Sequence, residues 1–205
     1  MTAHFLGDDI ISIDAPDATE AQSRASALRS LGVFREVAPG LDSLAVSFDP
    51  LVLEGAEALR LIDSVMKRPA TQAAVEPTAH ILRVRYGGAD GPDLESVCAT
   101  LAVEQDAFIE SHCTTEHQVD MIGFTPGFAY LSGVPTDWPV PRLASPRERV
   151  DAGSVGVIAG YTGLYAMPGP GGWPIIGRTD AALFDRYKDQ PFLIQPGDRV
   201  RFEAV

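Results

Sequence analysis

Positive charge, cysteine and long apolar runs are all scarce in this chain, and each scarcity removes a class of function. Lys and Arg number 16 against 28 Asp and Glu, giving a formal net charge of -12 and a pI near 4.6. So negative a surface repels polyanions at long range, which excludes generic binding to nucleic acid or anionic membranes, although a local group of arginines can still hold one small anion. Cys98 and Cys113 are the only two cysteines. They cannot build a disulfide framework, and neither has a Cys-x-x-Cys partner or the basic surround that activates a thiol. No run approaches the length that spans a bilayer, and no apolar h-region follows a basic start. The expectation is a cytoplasmic protein with reduced thiols. A hydrophobic content of 45% and a charged content of 21% over 205 residues are those of a folded chain with one large domain or two small ones.

Residues 4–13 are apolar on either side of Gly7-Asp8-Asp9, which favours a hairpin over an irregularity in one strand. Asp17 with Glu20 forms a capping pattern, and Ala21, Ala25, Leu28 and Leu31 then recur at helical spacing until Gly32, predicting a helix over about 18–31. Residues 33–38 and 44–48 predict paired strands around the turn Pro39-Gly40-Leu41-Asp42. A second helix is expected over about 54–67, with Leu59, Ile62, Val65 and Met66 buried and Pro69 just past its end. The polar stretch 71–78, with Glu76-Pro77, reads as a linker. Residues 1–78 are therefore expected to be a small α+β domain, two helices on an antiparallel sheet, and 79–205 a second domain. Were residues 81–86 to join the first sheet, its order would become ferredoxin-like.

In the second part, Leu82, Val84 and Tyr86 alternate with Arg83 and Arg85 before Gly87-Gly88, a strand with one solvated face. Leu94, Val97, Cys98 and Leu101 form a short helical stripe after Asp93, and 103–112 another with Phe108 and Ile109 inward. Between residues 121 and 179 glycine and proline are too dense for a long helix. Short strands separated by turn signals, down to Arg199-Val-Arg-Phe-Glu203, predict a closed β-barrel.

The same region interleaves Phe124, Phe128, Tyr130 and Trp173 with Arg142, Arg147 and Arg178. Ring faces beside guanidinium forks suit a pocket for a small anion. The bland alternative is barrel core for the rings and solvated surface for the arginines. His112, Cys113, Glu116 and His117 are the one local group of metal-type side chains, with Cys113 and His117 at i, i+4 spacing, but further zinc ligands are lacking nearby and no metal is expected. Gly169-Pro-Gly-Gly-Trp173 lacks the Gly-Lys-Ser/Thr ending of a phosphate loop, and Ala152-Gly-Ser-Val-Gly156 precedes a predicted strand, where a nucleophile elbow needs a helix.

Several segments carry a family resemblance: Gly123-Phe-Thr-Pro-Gly-Phe-Ala-Tyr-Leu131, Pro146-Arg147 with Ala152-Gly-Ser-Val155, Thr162-Gly-Leu-Tyr165, and Pro170-Gly-Gly-Trp173 with Ile176-Gly-Arg-Thr179. Together they resemble the family of 5-oxoprolinase B subunits, also called allophanate hydrolase subunit 1, which includes the sensor-kinase inhibitor KipI and part of the urea carboxylase carboxyltransferase domain. The resemblance implies a cyclophilin-like β-barrel for the second domain. It implies membership of an assembly, with companion subunits, that opens 5-oxoproline to glutamate at the expense of ATP, with Mg2+ entering alongside the nucleotide and the chain inactive alone. It marks His112, Arg147 and Arg178 as catalytic, His112 being a proton carrier or, in the bland reading, a helix C-terminal cap. Phe124, Pro126, Gly127, Phe128, Tyr130, Arg142, Gly172, Trp173 and Thr179 are marked as substrate-binding. A kinase inhibitor like KipI and a carboxyltransferase or amidohydrolase component of urea metabolism are the alternative roles. The chain departs from the family pattern at Asp151, Ala159, Tyr161, Asp180 and His117.

Overall fold

A computed structural model of the chain describes residues 2–68 and 77–205, in two compact units, Met1–Glu76 and Pro77–Val205. Pro69 and residues 71–76 of the expected linker lie outside the described residues. Thr78 belongs with the second unit: its amide donates to Asp198 Oδ1 at 3.0 Å, and its carbonyl accepts from the Arg199 amide at 2.9 Å.

The first unit runs β1 (Ala3–Phe5), β2 (Ile10–Asp14), α1 (Ala18–Arg29), β3 (Glu36–Pro39), β4 (Ser43–Ser47) and α2 (Gly55–Met66). Gly7, at φ +86°, turns a hairpin in which Ala3 pairs with Ile13. The sheet order is β1-β2-β4-β3, antiparallel throughout. Alternation places Ile11, Ile13, Val37, Leu44 and Val46 on one buried face, which packs with Ala21, Ala25 and Leu28 of α1 and Ala58, Ile62 and Val65 of α2. Asp17 caps α1 by accepting from the Glu20 amide at 2.8 Å. Arg24 is buried because its Nη1 satisfies the carbonyls of Val65 and Arg68 at the end of α2, at 2.8 and 2.6 Å.

The second unit begins with β5 (Ala79–Tyr86), α3 (Leu94–Leu101), α4 (Gln105–Thr114), β6 (His117–Ile122) and β7 (Ala129–Ser132). It continues with β8 (Arg147–Val150), β9 (Ser154–Ile158), β10 (Tyr161–Leu164), β11 (Gly169–Gly171), β12 (Ile175–Arg178) and β13 (Arg199–Ala204). Seven strands close into a barrel in the order β10-β7-β6-β13-β5-β12-β9, so β5 lies in the barrel and not in the first sheet. The outer strands β8 and β11 form a separate antiparallel pair. The barrel seam is the pairing of β5 with β13, the one parallel ladder among the described strands, running from Ala79↔Arg199 to Val84↔Ala204. Leu82, Val84, Val119, Leu131, Val155, Val157, Leu164, Ile176, Val200 and Phe202 fill the interior, with Leu94, Val97 and Phe108 added from the helices. Helix α4 begins at Gln105, two residues later than the apolar pattern suggests, and it ends at Thr114, so His117 stands on β6 and shares no helical face with Cys113.

The segment between β5 and α3 is stitched onto β12. The Gly87 amide donates to Ile176 O and the Asp93 amide to Ile175 O, both at 3.0 Å. Gly91 lets the two backbones meet: a Cβ there would stand 2.1 Å from the Ile176 carbonyl oxygen. Since that obstacle is backbone, Gly91→Ala is expected to destabilise the chain by about 2 kcal/mol or more. Chemical denaturation checks this, and a wild-type midpoint would refute the close approach.

Candidate functional site

The aromatic residues singled out from the sequence do converge. Alternation along β7, β9 and β10 sends Leu131, Val157, Thr162 and Leu164 into the barrel and Tyr130, Gly156, Tyr161 and Gly163 to the opposite face. On that outer face Phe128, Val150, Tyr165, Trp173 and Ile175 form a second apolar cluster, flanked by Tyr130, Ile158 and Tyr161. The rings meet edge to face: Phe128 lies 4.9 Å from Tyr130, 4.8 Å from Tyr165 and 5.5 Å from Trp173, and Tyr130 lies 5.6 Å from Trp173. Gly163 is the floor they rest on, since a Cβ at this position would come within 2.7 Å of Phe128 and 2.9 Å of Trp173. The result is an aromatic shelf, buried at Phe128, Tyr165 and Trp173 and partly exposed at Tyr130 and Tyr161.

Cations edge this shelf. The Arg142 guanidinium sits 5.9 Å from the Trp173 ring centroid, a cation–π distance, and among the described residues no carboxylate pairs with it. Arg147, first residue of β8, donates from Nη2 to Asp93 Oδ1 at 2.8 Å, while its buried Nη1 has no hydrogen-bond partner. Burial pushes the Tyr165 hydroxyl above its ordinary range, against the Trp173 backbone and the charges of Arg142 and Arg147. Burial also raises Tyr130, opposed by Arg142. Both phenols therefore stay protonated at neutral pH and can donate. Gly172 holds the covering segment in place: its carbonyl accepts from the Leu143 amide at 2.7 Å, beside Pro146.

One loop overhangs the cluster. Between β6 and β7 the Thr125 amide closes onto Gly123 O at 2.8 Å, a three-residue turn with Phe124 at its centre in the left-handed region, φ +68°. A bulky residue there costs about 1–3 kcal/mol, a strain that concentrates at functional sites. Phe124 is 63% exposed yet touches Phe128 edge-on at 5.7 Å. Pro126 is exposed at the tip, and Gly127, φ +75°, packs where a Cβ would collide with Phe192 and Ala166.

The remaining candidates lie elsewhere. Arg178 is paired with Asp151 at 3.6 Å, and Thr179 is buried, its amide donating to Gly153 O and its hydroxyl accepting from the Ala181 amide at 3.2 Å. His112 does not cap its helix end. It is 1% exposed, with Nδ1 2.7 Å from the Tyr86 hydroxyl and Nε2 3.0 Å from Thr162 Oγ1, and its ring stacks on Phe202 at 4.7 Å. Thr162 faces inward and its neighbours Tyr161 and Gly163 outward, so the thickness of β10 separates His112 from the shelf. Among the described residues no group of three or more His, Cys, Asp or Glu is placed to hold a metal ion. Tyr165 and Asp93 were missed as site residues; Tyr165 had a signal, closing the Thr162-Gly-Leu-Tyr165 segment, and Asp93 had none. A cleft of about 490 Å³ beside Phe108 and Trp138 is lined by Asp137 and no Lys, Arg or His, which suits an anion less than the shelf does.

Two measurements test this geometry. Gly163→Ala should lose about 1–3 kcal/mol through overpacking against Trp173 and Phe128, and an unchanged melting temperature would contradict the close packing. Burial, and the neighbouring His117, hold His112 well below its ordinary value; burial likewise lowers His117, whose Nε2 donates to the His112 carbonyl at 3.1 Å. With both pKa values depressed, the unfolded chain binds more protons than the folded one below about pH 6.5. Stability should then fall as pH drops below that point. In His117→Gln, which keeps a donor but cannot titrate, the decline below about pH 6.5 should be shallower. Superimposable urea-midpoint profiles would refute it.

Comparison with known proteins places this fold and its segments together. The family model for the carboxyltransferase domain, subdomain C and D, matches residues 1–194. The B subunit of the Escherichia coli O157:H7 5-oxoprolinase is 36% identical over 201 residues, spanning 94% of this chain and 90% of the relative. The crystal structure of TTHA0988 superposes with a TM-score of 0.79 at 31% identity over 96% of this chain, which spans only 39% of that longer protein. The urea carboxylase of Kluyveromyces lactis, at 16% identity, shares the fold over the whole chain with a TM-score of 0.82, the match spanning 22% of its length. The chain thus belongs to the carboxyltransferase subdomain C and D family, alongside the 5-oxoprolinase B subunits.

Proposed function

We propose that this chain acts as the B subunit of a 5-oxoprolinase assembly and that the aromatic shelf receives 5-oxoproline. The observation that carries the reading is the coincidence, on one outer sheet face, of an aromatic wall with two guanidinium groups, Arg142 and Arg147, built from the segments that resemble the 5-oxoprolinase proteins. A five-membered lactam bearing a carboxylate presents a flat apolar body and one anionic group. The partly exposed Tyr130 ring, beside the buried Trp173, suits the body, and the guanidiniums suit the carboxylate. The Tyr130 phenol suits the lactam oxygen as a donor. An unstrained lactam is a poor electrophile, and driving its hydrolysis calls for activation of that oxygen, which ATP supplies in the reading.

The described residues do not fit the nucleotide or its magnesium. Gly169–Gly171 is a strand paired with β8, not a phosphate loop opening a helix, and no acidic cluster among the described residues is placed for a metal ion. We therefore assign ATP and Mg2+ to companion subunits, and give this chain the tasks of binding the substrate, orienting it and excluding water. The exposed, strained Phe124 loop beside the shelf is the proposed contact with those companions.

The test is 5-oxoproline-dependent ATP hydrolysis, measured on the purified chain and on the chain co-expressed with the proteins encoded beside it. No turnover is expected from the chain alone, and turnover is expected from a co-eluting complex. In that complex Arg142→Ala should lower kcat/KM at least about tenfold, the loss of one charge-assisted contact, with no change in melting temperature because Arg142 is a surface side chain. A stable complex without 5-oxoproline-dependent turnover would overturn the reading.

A further inference from the structure

Asp93 occupies the N-cap position of α3, where aspartate ordinarily accepts from the amides of the first helical turn. It makes no such bond. Its two carboxylate oxygens go elsewhere: Oδ1 accepts from Arg147 Nη2 at 2.8 Å and Oδ2 from the Ile175 amide at 2.6 Å. The side chain is 13% exposed, so this bridge between a guanidinium 54 residues away and a backbone amide 82 residues away is largely out of water. Its own backbone is fixed as well, by the Asp93 amide donating to Ile175 O at 3.0 Å and by the close approach at Gly91.

The consequence falls on Arg147. One terminal nitrogen of its fork is committed to Asp93. The other arm, Nη1, is buried and has no acceptor among the described residues. A buried charged donor without an acceptor costs free energy, and an oriented one is a binding site for an oxygen anion. Arg147 is paired across the β8–β11 ladder with Gly171, and Gly171 lies directly against the Tyr165 hydroxyl, so Arg147 borders the shelf and not a distant surface.

We propose that Asp93 is a positioning residue: it holds Arg147 so that Nη1 alone receives the carboxylate or phosphoryl oxygen of a small ligand at the aromatic shelf. The inference rests on the reading of the shelf as an anion site, and it adds the residue that orients the cation and the single-armed mode of contact. Asp93 itself touches no ligand. It acts through Arg147, which distinguishes it from a residue that merely supports the fold.

Calorimetric titration of the full chain with 5-oxoproline and, separately, with inorganic phosphate tests this. Saturable binding is expected for at least one; the first responding assigns a carboxylate ligand, the second a phosphoryl group. Asp93→Asn keeps the size and one acceptor but loses the charge that grips Nη2, and should weaken binding at least about tenfold. Arg147→Ala should weaken it as much or more, Arg147→Lys nearly as much, because an ammonium lacks the planar fork that reaches Asp93 and the ligand from separate nitrogens. The double variant Asp93→Asn/Arg147→Ala should bind no worse than Arg147→Ala, the mark of a residue acting through another. If Asp93→Asn does not fold, Asp93→Glu, which keeps the charge and displaces it, takes its place. Absence of saturable binding by the wild-type chain, wild-type affinity in the Asp93 variant, or a further loss in the double variant would each overturn the proposal. The 5-oxoprolinase reading fails separately: phosphate binding that needs Asp93, in a complex without 5-oxoproline turnover, leaves the positioning role standing, while turnover untouched by Asp93→Asn removes that role and keeps the reading.

Discussion

The second unit depends on the parallel ladder between β5 and β13. The two strands come from opposite ends of the unit, and their pairing from Ala79↔Arg199 to Val84↔Ala204 closes the barrel. Parallel pairing cannot be made by a tight turn, so its register has to be pinned by other contacts. Asp198 does this. It accepts from the Thr78 amide at 3.0 Å, and from the Gln195 amide and the His80 ring at 2.9 Å each, at the point where the ladder begins. Phe202, which points inward from β13 as Val200 does, then supplies the face on which His112 stacks. The entropic cost of closing so long a loop is met only when the whole interior assembles, which makes the unit cooperative.

Everything functional in the proposed reading is laid over the outside of that closed sheet. A barrel of seven strands has too little interior for a ligand once Leu131, Val155, Val157, Leu164 and Phe202 fill it. In that reading the recognition surface arises where glycine thins the wall, at Gly163, and where β8, β11 and the segments beside them bring Val150, Trp173, Arg142 and Arg147 across it. Charge is arranged in pairs: Arg147 with Asp93, Arg178 with Asp151, and Arg85 with both Asp90 and Asp180. In a chain of net charge -12 such pairing consumes cations, and against that background Arg142 and the open arm of Arg147 stand together at the shelf.

Much of the fold was legible from local pattern. The hairpin at Gly7, the cap at Asp17, the short helices and the solvated face of β5 each follow from spacing within a dozen residues. Periodicity reports on the nearest turn or pleat, and these elements obey it. The helical spacing of Cys113 and His117 misled because Thr115, in extended conformation, ends α4 between them, and β6 claims His117. Helix capping by His112 misled for a different reason. Its place at the end of a helix suggested it, but the ring turns inward to Tyr86 and Thr162, residues 26 and 50 positions away.

By itself the sequence determined the element types, the strongly negative net charge, and the concentration of aromatic and guanidinium side chains between residues 121 and 179, because these rest on composition and on short-range spacing. Only the tertiary structure decided which of those side chains share a face. The alternation of β10 puts Thr162 and His112 on one side and the shelf on the other. The Gly91 crossing carries Asp93, a residue with no motif of its own, to Arg147 and Ile175. Those outcomes depend on strand register and on backbones meeting across more than about fifty positions of chain, and no local pattern encodes either.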